Sequence, residues 1–132
     1  MMTIRSSAPA VVGIFVLALS SVAATHHGAA GLFDVSQTVE VTGSVKMWRF
    51  VNPHPILVLE VTDQHGQTAD WDIYFGPSAA AILQRRGYAP DTFTFGETLA
   101  VTGHLAKAAG VRGIDVFGPA ASITRPDGTR VP

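Results

Sequence analysis

The stretch Trp48-Arg49-Phe50-Val51-Asn52-Pro53-His54-Pro55 holds the densest group of chemically capable side chains in the sequence. A proline fixes its own φ and pushes the residue before it toward extended geometry. Asn52 and His54 each precede a proline, so both are presented with little conformational entropy to lose on binding. Asn52 brings two donors and an acceptor; His54 can donate, accept or ligate a metal. The competing structural roles are that Asn52 bonds backbone to close the turn and that His54 plugs a barrel end. Asp70 and Asp72 alternate on one strand face beside Trp71, where they could flank a bound group or simply be solvated. The candidate ligand-binding set is therefore Trp48, Arg49, Asn52, Pro53, His54, Asp70 and Asp72. The aromatics Trp48, Phe50 and Trp71 also suit core or rim packing.

A second candidate set, for a metal, is His26, His27 and His54. If a leader is cut after Ala24, His27 stands third from a free amine; a cut after Ala23 puts His26 there instead. An amine, two deprotonated backbone nitrogens and a third-position imidazole form a square-planar set, the geometry of Cu(II) and Ni(II). The alternative is an unordered polar tail. His65 and His104 are expected to be exposed. A hydrolytic triad has little to stand on, with no cysteine and with Ser78, the best-placed serine, reading as a helix cap. No glycine-rich phosphate cradle follows a strand. No catalytic residue is assigned, and the reading leans away from an enzyme.

The elements that must position these residues are mostly strands. From Thr38 the sequence alternates, with Val39, Val41, Val45 and Met47 on one face and Gly43 among them at a bend. At Trp48 the phase slips, which means a bulge or aromatics covering the sheet's outside. After the proline corner, residues 56–63 form a second strand with Leu57, Leu59 and Val61 inward. Gln64-His65-Gly66-Gln67 is a tight hairpin. The third strand, residues 68–75, puts Ala69, Trp71, Ile73 and Phe75 on one face and Asp70, Asp72 and Tyr74 on the other. Pro77 and Ser78 open a short helix of about three turns with Ala79, Ile82, Leu83 and Arg86 on a stripe, and Gly87 ends it. A fourth strand has Leu99, Val101 and Leu105 inward. Residues 112–117 and 120–124 read as one strand interrupted at Gly118-Pro119. The expected fold is all-β with one short helix, a small OB-fold-like, partly open barrel of order β-β-β-α-β-β.

Composition bounds the rest. The chain has 132 residues, enough for one domain. Arg5, the apolar run from Ala8 to Leu19 and the small residues Ser20 to Ala24 read as a secretory signal peptide. The run is roughly a dozen residues, against about 20 needed to span a bilayer, and no later stretch could span. The expected organisation is a signal peptide over 1–24, a flexible mature N-terminus over 25–37 with Leu32 and Phe33 as first anchors, the barrel over 38–125 and a tail over 126–132. With no cysteine, there is no disulfide or thiolate metal site. Nine Lys and Arg against ten Asp and Glu, with no basic run longer than Arg85-Arg86, exclude the electrostatic footprint of a nucleic-acid binder.

With these residues placed, the chain resembles the DUF6152 family of uncharacterised exported bacterial proteins. The likeness is carried by His26-His27 after the leader, Phe33-Asp34, Val41-Thr42-Gly43-Ser44-Val45, Phe50-Val51-Asn52-Pro53-His54 and the Trp71 strand. Leu83-Gln84-Arg85-Arg86-Gly87 and Gly96-Glu97 before a Val-Thr-Gly strand extend it over nearly the whole mature chain. The Asn-Pro-His corner is its most specific part. The resemblance implies an envelope location and one β-rich domain, and brings no activity with it. Thr25 departs from the pattern, since family members often carry the histidine pair directly after the cleavage-site alanine.

The function expected is a periplasmic or secreted binding module for a small ligand, metal or envelope protein, with its site near Asn52 to Pro55. The alternatives are a copper- or nickel-binding protein or metalloenzyme using the N-terminal histidines, and a structural accessory subunit of an envelope complex. An exposed aromatic patch around Trp48 would favour the last.

Overall fold

A first strand too long to lie flat sets the architecture. The computed structural model describes residues 29–132; the expected leader, its cleavage point, His26 and His27 lie outside them. The elements are α1 (Ala29–Leu32), β1 (Val39–Arg49), β2 (Ile56–Thr62), β3 (Thr68–Tyr74), α2 (Ala80–Arg85), β4 (Thr98–Leu105), β5 (Gly113–Asp115) and β6 (Ser122–Thr124). β1 pairs with β4 along residues 39–44 and with β2 along residues 44–49, so one strand serves both halves of the sheet. Gly43 permits that bend: a Cβ there would stand 2.6 Å from the Glu60 carbonyl oxygen. Gly103 does the same on β4, where a Cβ would run into the Asp115 carbonyl.

The circuit β1-β2-β3-β5-β4 closes back on β1, with β3 and β5 parallel and every other pairing antiparallel. This is the OB arrangement, a coiled first strand and a helix between the third and fourth. The expected partly open barrel is closed, though the β3–β5 seam is only three residue pairs long. β6 is an extra strand that takes the β4 edge beyond β5. Residues 112–124 are thus two short strands on β4, not one interrupted strand.

Inside the barrel, Leu57, Leu59, Leu99, Val101 and Ile114 are fully buried, as period-two alternation requires. The phase slip in β1 is a bulge. Val45 faces Leu59, but Met47 faces Val58, leaving Lys46 as the additional residue. Trp48 is thereby turned to the core face opposite Leu57, and Met47, expected inward, is exposed. Leu105, also expected inward, is exposed where β4 runs out. Trp71 is half-buried at the edge of the core.

The hairpin after β2 forms as expected, with Gly66 at φ 76° and Asp63 Oδ1 accepting from the backbone N–H groups of His65 and Gln67. α2 is shorter than expected and is not capped by Ser78. Its N-cap is Ala79, no side chain bonds the first turn, and Ser78 is buried. Its end is a Schellman motif: Tyr88 N–H bonds Leu83 O, Gly87 N–H bonds Gln84 O, and Gly87 sits at φ 100°. Ahead of β1, Phe33 is buried and bridges to Ala106, while Leu32, expected as an anchor, is exposed.

Candidate functional site

The corner between β1 and β2 is built from its prolines. Arg49 and Ile56 face each other across it, Asn52–Pro53 is a cis peptide, and Pro55 is buried beneath it. Asn52 and His54 are left exposed. The turn-closing bond expected of Asn52 is not made: its side chain has no hydrogen bond among the described residues. His54 does not plug the barrel either.

His54 instead lines a groove of about 400 Å³ where β2 begins and β3 ends, with the core residues Leu57 and Ile73 in its lining. Pro55, Ile56, Asp72, Tyr74 and Gly76 share it. The hairpin register explains the meeting. Leu57 lies opposite Ile73 and Val58 opposite Asp72, so the end of β3, with Asp72 and Tyr74 flanking Ile73, runs alongside the start of β2 just past the corner. Asp72 and Tyr74 alternate outward on β3. The Tyr74 phenol is pushed up from its ordinary pKa, by burial first and then by the Asp72 charge. Its ring centroid lies 5.3 Å from that of Phe33, tilted 59°, and it crosses Gly113, where a Cβ would come within 2.9 Å of the ring. Tyr74 was missing from the sequence-derived set, although alternation had placed it on the face of Asp70 and Asp72.

The other candidates lie elsewhere. Trp48 packs against the core in an aromatic cluster, its ring 5.0 Å edge-on to Phe93 and close to Phe50, Phe75 and Tyr88. Its indole Nε1 donates to the Ala89 carbonyl at 3.0 Å. Trp48 and Phe50 are half-buried against the core. Asp70 accepts from Lys46 Nζ at 2.8 Å on both carboxylate oxygens, an exposed pair, so the bulged lysine occupies it. Asp70 holds the Lys46 ammonium above its usual pKa. Arg49 is exposed and, like Asn52 and Pro53, does not line the groove.

One buried group escaped the sequence reading. Asp115 is fully buried; its Oδ1 accepts from Gly76 N–H at 2.9 Å, and Oδ2 has no protein partner among the described residues. Burial pushes the carboxyl above its ordinary pKa, against the Gly76 hydrogen bond and the nearby His104. His104 stands opposite it on β4, with Nδ1 3.0 Å from the Gln37 carbonyl. Since Gly76 forms part of the groove, Asp115 fixes one wall from behind. The only signal in the sequence was an acid inside the apolar run Gly113-Ile114-Asp115-Val116-Phe117.

Among the described residues no three His, Asp or Glu side chains come together in a way that could hold a metal ion. No helix there is long and apolar enough to cross a membrane. A closed five-stranded barrel of OB order, with one extra strand and a groove beside its first corner, defines the class: a small β-barrel domain. The family model described as a family of unknown function, DUF6152, matches residues 13–115, and the chain belongs to that family. No curated protein and no solved structure matches it.

Proposed function

We propose that this chain is an exported binding module whose groove at His54, Ile56, Asp72 and Tyr74 takes a small organic cation with an apolar body. The observation that carries the reading is the convergence of the rigid corner with Asp72 and Tyr74 on one groove. OB barrels bind on the face of strands two and three and on the loop joining strands one and two, and this groove has that place. Asp72 is the only acid lining it, and its charge bears on the Tyr74 ring. A carboxylate beside an aromatic face suits an ammonium group, which gains Coulomb and cation–π attraction together. Pro55 and Ile56 supply apolar surface, and His54 an exposed hydrogen-bonding edge.

Calorimetric titration with phenethylamine, against the neutral 2-phenylethanol, tests this. The amine should bind at least about tenfold more tightly, and Asp72→Asn should remove the difference. Equal binding of the two probes would defeat the reading. A separate proposal, carried by sequence alone, is that processing after Ala24 creates a terminal Cu(II) or Ni(II) site at His27.

A further inference from the structure

We propose that a second cavity, between the end of α2 and the C-terminal segment, is a site for a small organic anion, a carboxylate on a compact apolar body. It holds about 380 Å³, within the range of small-molecule sites. Leu83 and Ile123, both buried, give it an apolar floor, and Arg86, Arg130, Tyr88 and Ser122 bring polar groups to it. No Asp or Glu lines it.

Arg86 and Arg130 are exposed at the mouth of one cavity, where an anion would be attracted by both charges. Neither Arg86 nor Arg130 forms an ion pair among the described residues, Pro132 at the cavity wall included. Arg86 lies with its Cζ 5.8 Å from the centre of the Phe117 ring, a contact that leaves the N–H fork unused. Arg130 spends one Nη2 donor on the Ala121 carbonyl at 2.6 Å and is held in place by that bond. Both charges act on Tyr88, lowering its phenol pKa against a larger upward push from burial, so their fields overlap at one side chain. The Tyr88 hydroxyl makes no hydrogen bond among the described residues. A carboxylate there would accept charge-assisted bonds from planar forks made for it, while its apolar body covers Leu83 and Ile123. The corner groove shares no residue with this cavity, and its acid selects the opposite charge.

The test is a residue-resolved NMR titration of the protein with sodium phenylacetate, alongside 2-phenylethanol and sodium sulfate. Phenylacetate should shift Tyr88, Ile123 and Val131 and bind at least about tenfold more tightly than either control. Arg86→Gln should weaken phenylacetate at least tenfold, Arg86→Lys less, and Asp72→Asn not at all. Arg130→Gln should act like Arg86→Gln; if it does not fold, having lost the Ala121 bond, Arg86→Gln alone decides. Phenylacetate no tighter than 2-phenylethanol, sulfate as tight as phenylacetate, shifts outside the cavity, or unchanged affinity in Arg86→Gln would each overturn the assignment.

Discussion

Replacing Trp48 by alanine would empty the centre of the aromatic cluster packed against the core. The indole touches Phe50, Phe75, Tyr88 and Phe93 with ring centroids 5.0–6.5 Å away. Truncating a buried tryptophan costs about 3–5 kcal/mol. Trp48 is only half-buried, which argues for the lower end, while loss of the Ala89 bond adds about 1 kcal/mol. A net loss of about 3–4 kcal/mol follows, and at about 4 °C or more per kcal/mol the melting temperature should fall by at least about 12 °C. Trp48→Phe keeps most ring contacts, drops the N–H and should cost about 1–2 kcal/mol. Trp71→Ala, at the core edge with no ring neighbour among the described residues, should cost less than Trp48→Ala. Thermal melts followed by circular dichroism give all three values. A Trp48→Ala variant melting within 5 °C of wild type, with phenethylamine binding lost, would return Trp48 to the ligand site and refute its place in the core.

Gly103→Ala drives a Cβ into the Asp115 backbone carbonyl and should cost about 1–3 kcal/mol by overpacking; urea denaturation without such a loss would contradict the tight coiling of β4. Asp115 has its pKa raised by burial, so its contribution to stability is fully present below the unfolded carboxyl value of about 4 and is lost as pH rises through the folded value. Asp115→Asn keeps an acceptor for Gly76 N–H but cannot ionise, so its melting temperature relative to wild type should climb from pH 4 toward pH 8; a flat difference would refute the shift. Protein beginning at Thr25 should bind one Cu(II) with the absorption of a nitrogen-rich square-planar site, weaker as pH falls. His27→Ala or an N-terminal tag should remove that site, and equal affinity in tagged protein would dispose of it.

Alternation was enough to read β2, β3 and the buried part of β4, because each has one face in the core and one outside. The phase slip at Trp48 was visible too, but a bulge and an outward aromatic pair leave the same pattern. Only pairing with β2 shows that Lys46 is the inserted residue and that Trp48 turns inward. β5 and β6, three residues each, are too short for a period to show. Ser78 looked like a cap because caps are local signals, whereas its burial comes from packing. The corner was legible from its prolines. Its meeting with Asp72 and Tyr74 depends on hairpin register, and the cavity at Arg86 and Arg130 on how segments distant in the sequence come together.

The first corner, Asp72 and Tyr74 are proposed to form one cation-selective groove. Its most direct test is a backbone and side-chain NMR titration of the wild-type protein with phenethylamine. The expected result is a saturable set of shifts confined to His54, Ile56, Asp72, Tyr74 and Gly76, absent in Asp72→Asn. Shifts scattered over the surface, or centred on the Arg86 and Arg130 cavity, would contradict it.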